Sequence, residues 1–271
     1  MGNLAGINSS LALLKAEMKK VWSRPILELA VILIALISVS AIQTLVQIED
    51  QSKSQLAFQL LVGNGVSAIM TRQMQPLIIF CSILMSLSFA RDYEQGLMQS
   101  MLSLPISRTS LFTMKFLAVI LPLTFLSWGF VIFFSILNYY SNLFLVIQFV
   151  IFALPIALLA LMFYGGLATI VSLVIKRTIP SALTAMLTGF FFWFITTLDT
   201  QAIGNTAEYL ALTPYKTPLV LLDRTMGVIF PPGSLEISLP IWVFVTLTLI
   251  YASIFVLLSF VYFVRRFEVR E

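Results

Sequence analysis

Apolar positions along this chain come in long blocks separated by short polar stretches. Six blocks stand out, at about 26–47, 74–90, 111–137, 143–175, 181–198 and 239–264. A helix needs about 20 mostly apolar residues to cross a hydrocarbon layer of about 30 Å, so the pattern predicts six crossing helices. The expected fold class is an all-α membrane protein. The fourth block runs 33 residues without a charge, about 50 Å as a straight helix. It must tilt, protrude or break, with Pro155 or Gly165-Gly166 as natural break points. The two glycines could equally mark a close helix–helix contact. Pro122 offers a kink in the third block.

The intervening stretches carry patterns of their own. Before the first block, Leu11, Leu14, Met18 and Val21 recur at helical spacing, with Lys15, Lys19 and Lys20 elsewhere on the wheel and Trp22 at the end. That predicts an N-terminal amphipathic helix lying along a membrane surface within residues 1–25, turned into the membrane at Arg24-Pro25. Residues 26–264 would form one six-helix membrane domain, and 265–271 a short tail. Two further loops, about 48–73 and 199–238, are too apolar to be ordinary solvated connections. The first holds Leu56 to Val62 and the second four prolines, Pro214, Pro218, Pro231 and Pro232. Both read as short helices that lie at the interface, cap a cavity or shield helix ends. There is no internal repeat and no low-complexity tract.

Composition sharpens this reading. Of 271 residues 59% are hydrophobic and 10% charged, against about a quarter charged in a soluble domain. With no His, a His-ligated zinc, a Ser-His-Asp triad and a Cys-His dyad are excluded. Cys81 is the single cysteine, lies in an apolar run and reads as packing. The basic residues are sided. Lys15, Lys19, Lys20, Arg24, Arg91, Arg108, Lys115, Lys176, Arg177, Arg265, Arg266 and Arg270 flank one set of ends; only Lys53, Arg72, Lys216 and Arg224 flank the other. The positive-inside rule then places both termini in the cytoplasm, with the cell membrane as the expected location. The first block is too long for the apolar core of a cleaved signal and is expected to be retained.

The stretch between the second and third blocks carries the most chemistry. Tyr93, Leu97, Met101 and Leu104 follow a helical period, widened by Met98 and Leu102, while Asp92, Gln95, Gln99 and Ser103 fall mostly opposite. Pro105 ends this helix and Ser107 can cap the next. A short amphipathic helix held between two crossings is a lever for a partner that grips its exposed face. It could also be a plain connector. Glu94-x-Gly96, then Leu102-Ser103-Leu104-Pro105-Ile106-Ser107-Arg108, then Lys115 resembles the signature of permease subunits of type-2 ATP-binding-cassette (ABC) exporters. The likeness extends to six spans, the basic helix before the first and the long loop before the last.

That resemblance implies that 91–105 is a cytoplasmic coupling helix docking into a groove on separate ABC ATPase subunits. Its implied partner-binding residues are Arg91, Asp92, Glu94, Gly96, Leu97, Met101, Leu102, Pro105, Ser107 and Arg108. Glu94 would be the main charged contact, and Gly96 would permit close packing. Arg108 and Lys115 could instead mark the membrane boundary by snorkelling. The resemblance also implies a second permease subunit, identical or related. The chain has no GxxxxGK[ST] phosphate loop, and Gly63-Asn64-Gly65 is no substitute. ATP and Mg therefore belong to the partner, with no cofactor, metal site or catalytic residue in this chain.

Pathway candidates are the polar Gln43, Gln47, Gln75, Asn138 and Gln148, with Glu28 and Asp199 at the edges. The Phe-rich fifth block (Phe190, Phe191, Phe192, Phe194) suits a lipid-like or amphiphilic cargo but equally an ordinary lipid-facing surface. An ion-coupled carrier or channel should carry mid-membrane ionisable groups, which the middles of these spans essentially lack. An intramembrane enzyme would need acid–base or nucleophile constellations that are missing. A non-transporting assembly subunit driven by an ATPase remains open at this level, and no nucleic-acid partner is expected.

Overall fold

The computed structural model describes residues 2–46, 55–103, 106–138, 143–197, 211–225 and 239–266. Every regular element among them is helical: α1 (Gly2–Val21), α2 (Arg24–Val46), α3 (Gln55–Met85), a π-turn (Ser86–Ala90), α4 (Arg91–Glu94), α5 (Leu97–Leu102), α6 (Arg108–Asn138), α7 (Leu143–Ile175), α8 (Thr178–Thr197), α9 (Lys216–Thr225) and α10 (Ile241–Arg266). Among the described residues five helices are long and apolar enough to cross a membrane, and α1 with α2, joined at a 74° bend, makes a sixth if the pair is taken as one span. The chain is an all-α, membrane-embedded protein. The bend falls at the expected Arg24-Pro25 turn, where proline cannot continue the backbone hydrogen bonding of the preceding helix.

One expectation about the crossings needs correction. The stretch 55–73 is no separate interfacial element: α3 runs unbroken from Gln55, through Pro76, into the π-turn and α4. Those 40 residues span about 60 Å. Asn64, Arg72 and Gln73 interrupt the hydropathy here without interrupting the helix. Arg72 is exposed, while Gln73 is buried and satisfied by neighbours. The fourth block is one unbroken helix, α7, with Pro155 inside it, so of the three ways to accommodate its length the break is not used.

Gln73 shows how a polar group is accommodated in this interior. Its Nε2 donates to Ser38 Oγ on α2 at 2.8 Å, and its Oε1 accepts from Ser127 Oγ on α6 at 2.8 Å. All three residues are buried, so one amide ties three helices. Such bonds contribute about 0.6–2 kcal/mol in membrane proteins. Gln73→Leu is therefore expected to lower unfolding free energy in detergent by about 1 kcal/mol, read by SDS titration. An unchanged midpoint would remove the bridge from the account.

Gly165 and Gly166 sit where α7 meets its neighbours. A Cβ on Gly166 would lie 2.6 Å from the Val256 backbone nitrogen and 2.8 Å from the Phe255 carbonyl carbon, both on α10. The absence of a side chain is what lets these two backbones touch, as the small-residue reading of the pair expects. Cys81 is fully buried, in keeping with a packing role.

At the end of the bundle opposite Arg91 and Arg108, the segment 211–225 folds inward. Tyr251 Oη donates to the Leu212 carbonyl at 2.7 Å, ten residues into α10 and so about 15 Å from its first turn. In α9, residues 217 to 222 are all buried. Polar backbone at such a depth is tolerated because protein, not lipid, surrounds it. Asp223 accepts from Ser67 of α3. Burial raises its carboxyl pKa, partly offset by the Ser67 hydroxyl and Lys216. Arg224 donates to the Leu239 carbonyl and packs 5.1 Å from the Phe244 ring centre.

Candidate functional site

Residues 86–103 fold as a broken hairpin. In the π-turn the Arg91 N–H reaches back to the Ser86 carbonyl, one residue farther than in an α-helix, and such turns recur at functional sites. The chain then makes one helical turn, α4, and stops. Gln95 N–H bonds the Arg91 carbonyl at 2.9 Å, and Gly96 N–H bonds the Tyr93 carbonyl at 3.0 Å. Gly96 takes φ +71° with nothing within 4 Å of where a Cβ would stand. Within this chain its requirement is the left-handed backbone that ends a helix, and the space beside it is open.

The single helix expected over 91–105 is thus two short pieces, and the phase shift between them reassigns its faces. Met98 is buried, Tyr93, Met101 and Leu102 are half-buried, and Leu97 is 41% exposed. Ser107 caps α6 as expected, its Oγ accepting from the Ser110 N–H at 3.2 Å. Pro105 lies outside the described residues. Beneath the hairpin Phe89 of the π-turn packs on Phe112 of α6 and Phe263 of α10.

A buried charge cluster holds this region together. Lys115, on α6, is fully enclosed. Its Nζ donates to Glu17 Oε1 of α1 at 2.8 Å, to the Ser88 carbonyl inside the π-turn at 3.0 Å, and to Asp92 Oδ2. Asp92, also fully buried, accepts from Lys20 of α1 through its other oxygen, and Lys20 stands 3.9 Å from Glu17. Two lysines and two carboxylates balance, as buried charges require. The boundary-marking role considered for Lys115 is overturned, since its ammonium points into the protein. Asp92 is not available to an outside partner for the same reason.

The remaining candidates divide plainly. Glu94 is exposed, and its Oε2 accepts from the Thr178 N–H at 3.0 Å and the Thr178 hydroxyl at 2.6 Å. It caps the start of α8, where an unpaired helix N–H needs an acceptor. Arg108 Nη1 donates to the Val264 carbonyl near the end of α10 at 3.4 Å. Arg91 is half-buried. Gln75 is half-buried on α3, Gln148 is exposed, and Phe191 on α8 is 58% exposed. Gln47 lies outside the described residues, as do the side chains of Gln43 and Asn138. A wholly apolar recess between α6 and α7, lined by Ile136, Val146 and Val150 among others, offers no polar group.

Sequence reasoning missed Glu17, Lys20, Ser38, Gln73 and Ser127. Glu17 could have been noticed as the lone acid among three lysines of an amphipathic helix. Lys115 lies seven residues, about 10 Å along the helix, beyond Arg108 and inside the apolar block, which already asks for a carboxylate partner. Chemically, the arrangement provides a small exposed handle bonded through buried charge to α1 and α6, and through Glu94 to α8. No protein-family model matches this chain, and no curated protein matches it.

Proposed function

We propose that this chain is the membrane permease subunit of a type-2 ABC exporter, driven by separate ATPase subunits that grip the 91–105 hairpin. The observation that carries the reading is mechanical. A hairpin exposed on one side is tied on the other to Glu17, Lys20, Lys115 and Thr178, so a push on it reaches α1, α3, α6 and α8 together. The resemblance of Glu94-x-Gly96 and Leu102 to Arg108 to the exporter signature supports the same reading. Nucleotide and Mg are the partner's. ATP-driven closure of two ATPase subunits would shift a pair of permease subunits between two conformations, in proportion to its differential contacts with each. The siding of basic residues supports six crossings in a cell membrane, with both termini and the hairpin cytoplasmic. The apolar interior and Phe-rich α8 favour a lipid-like, amphiphilic or polymeric cargo.

Co-expression with a candidate ABC ATPase subunit from the same genome tests the reading. A detergent-stable complex is expected, and Leu97→Asp should abolish it by placing a charge where an apolar side chain meets the partner groove. Full retention by Leu97→Asp would remove the hairpin as the docking element. Glu94→Gln keeps an oxygen acceptor for Thr178, so complex yield is expected to stay within about twofold of wild type. A large loss in that variant would restore Glu94 as a direct charged contact.

A further inference from the structure

The exposed charges around the hairpin are sorted in a way that the ATPase-docking reading, on which this inference rests, does not require. Across 95–103 the exposed residues are Gln95, Gly96, Leu97, Gln99, Ser100 and Ser103, none of them charged. Of the two carboxylates in the segment, Asp92 is buried against lysines and Glu94 is committed to Thr178. The turn that Glu94 holds is cationic. Lys176 and Arg177 precede Thr178, both exposed, and the Lys176 ammonium lies 5.8 Å from the centre of the Tyr93 ring. Lys176 takes φ +58°, a backbone conformation that L side chains adopt only at a cost. It does so just past α7, with its N–H on the Ser172 carbonyl at 3.0 Å. The turn is thus built at a fixed position against the hairpin.

We infer that the hairpin and the 176–177 turn form one docking surface, a neutral knob at Leu97 flanked by cations, whose partner presents an apolar pocket with an acidic rim. Charge complementarity of this kind governs association rate and specificity. A protein groove fits better than anionic lipid headgroups, which need neither an exposed Leu97 among neutral amides nor a turn clamped by a carboxylate.

The test uses the full chain in phosphatidylcholine nanodiscs and the purified ABC ATPase subunit that co-purifies with it, with affinity measured at 50 and 500 mM NaCl. Wild-type affinity should fall about tenfold at the higher salt. Arg177→Glu should weaken binding about tenfold at low salt and flatten the salt dependence. Arg177→Gln, which adds no repulsion beside Glu94, should weaken it about threefold. Wild-type binding that ignores salt and both Arg177 variants would overturn the acidic rim while leaving hairpin docking intact. Absence of wild-type binding would overturn both. Without ATPase, slower trypsin cleavage at Arg177 in phosphatidylglycerol than in phosphatidylcholine nanodiscs, by tenfold or more, would assign the cations to headgroups and overturn the inference.

Discussion

Lys115→Met is expected to lower the unfolding free energy of the detergent-solubilised protein by about 3–5 kcal/mol, the cost of breaking a buried ion pair by removing one partner. Methionine fills much of the lysine volume, so the loss is electrostatic rather than steric. Glu17 would keep only Lys20, 3.9 Å from its Oε2, an oxygen that already lacks a hydrogen bond. Asp92 would keep one of its two lysine partners, and the Ser88 carbonyl in the π-turn would lose its donor. The four-residue cluster would carry a net negative charge in an enclosed site. Lys115→Met combined with Glu17→Gln restores neutrality and should recover a substantial part of the loss, because charge balance dominates a desolvated cluster. Denaturant midpoints in a fixed detergent read both variants. A single mutant within about 1 kcal/mol of wild type would show that water reaches the site and that the cluster does not bind α1 to the hairpin.

Gly166→Leu should prevent stable packing of α7 against α10. The atoms that a Cβ would strike belong to the α10 backbone, which cannot move without shifting a whole helix, so the cost exceeds the usual 1–3 kcal/mol of overpacking. Gly165→Ala gives an internal comparison. The Cβ there meets the ends of flexible side chains, Ile120 Cδ1 at 2.6 Å and Met85 Cε at 3.2 Å, which can swing aside for about 1 kcal/mol. Gly129, with open space around it, should accept Ala with a gain of up to about 1 kcal/mol from helix propensity. Monodisperse yield after size-exclusion chromatography ranks the three. A Gly166→Leu protein as stable as Gly129→Ala would refute the close α7–α10 contact.

The three glycines look alike in the sequence, and their difference measures what could be read there. The later apolar blocks match their helices closely: 143–175 is α7, and 111–137, 181–198 and 239–264 fall within a few residues of α6, α8 and α10. The turn at Arg24-Pro25 and the cap at Ser107 were also legible. Each follows from local backbone chemistry. The second block was misread because hydropathy counts polar side chains without knowing whether a neighbour will satisfy them. Gln73 is satisfied by serines 35 and 54 residues away in the chain.

The hairpin shows the same division. Its position and amphipathic character were set by sequence, but a helical wheel drawn through Gly96 keeps one phase, whereas the observed backbone changes phase there. The wheel therefore gave Leu97 and Met98 the same face, and the structure separates them. The family resemblance, not the wheel, implied a partner role for Asp92 and Glu94; in the structure Asp92 is buried on two lysines and Glu94, still exposed, bonds Thr178.

By itself the sequence determined that this is an all-α membrane protein, roughly where its helices lie, and which ends are basic. These properties depend on transfer of apolar side chains from water and on backbone bonding within each helix, both local in the chain. Only the tertiary structure decided which charges are buried together, which glycine is a contact and which residue of the hairpin remains outward. Those outcomes depend on distances between residues far apart in sequence, such as the 98 positions separating Glu17 from Lys115.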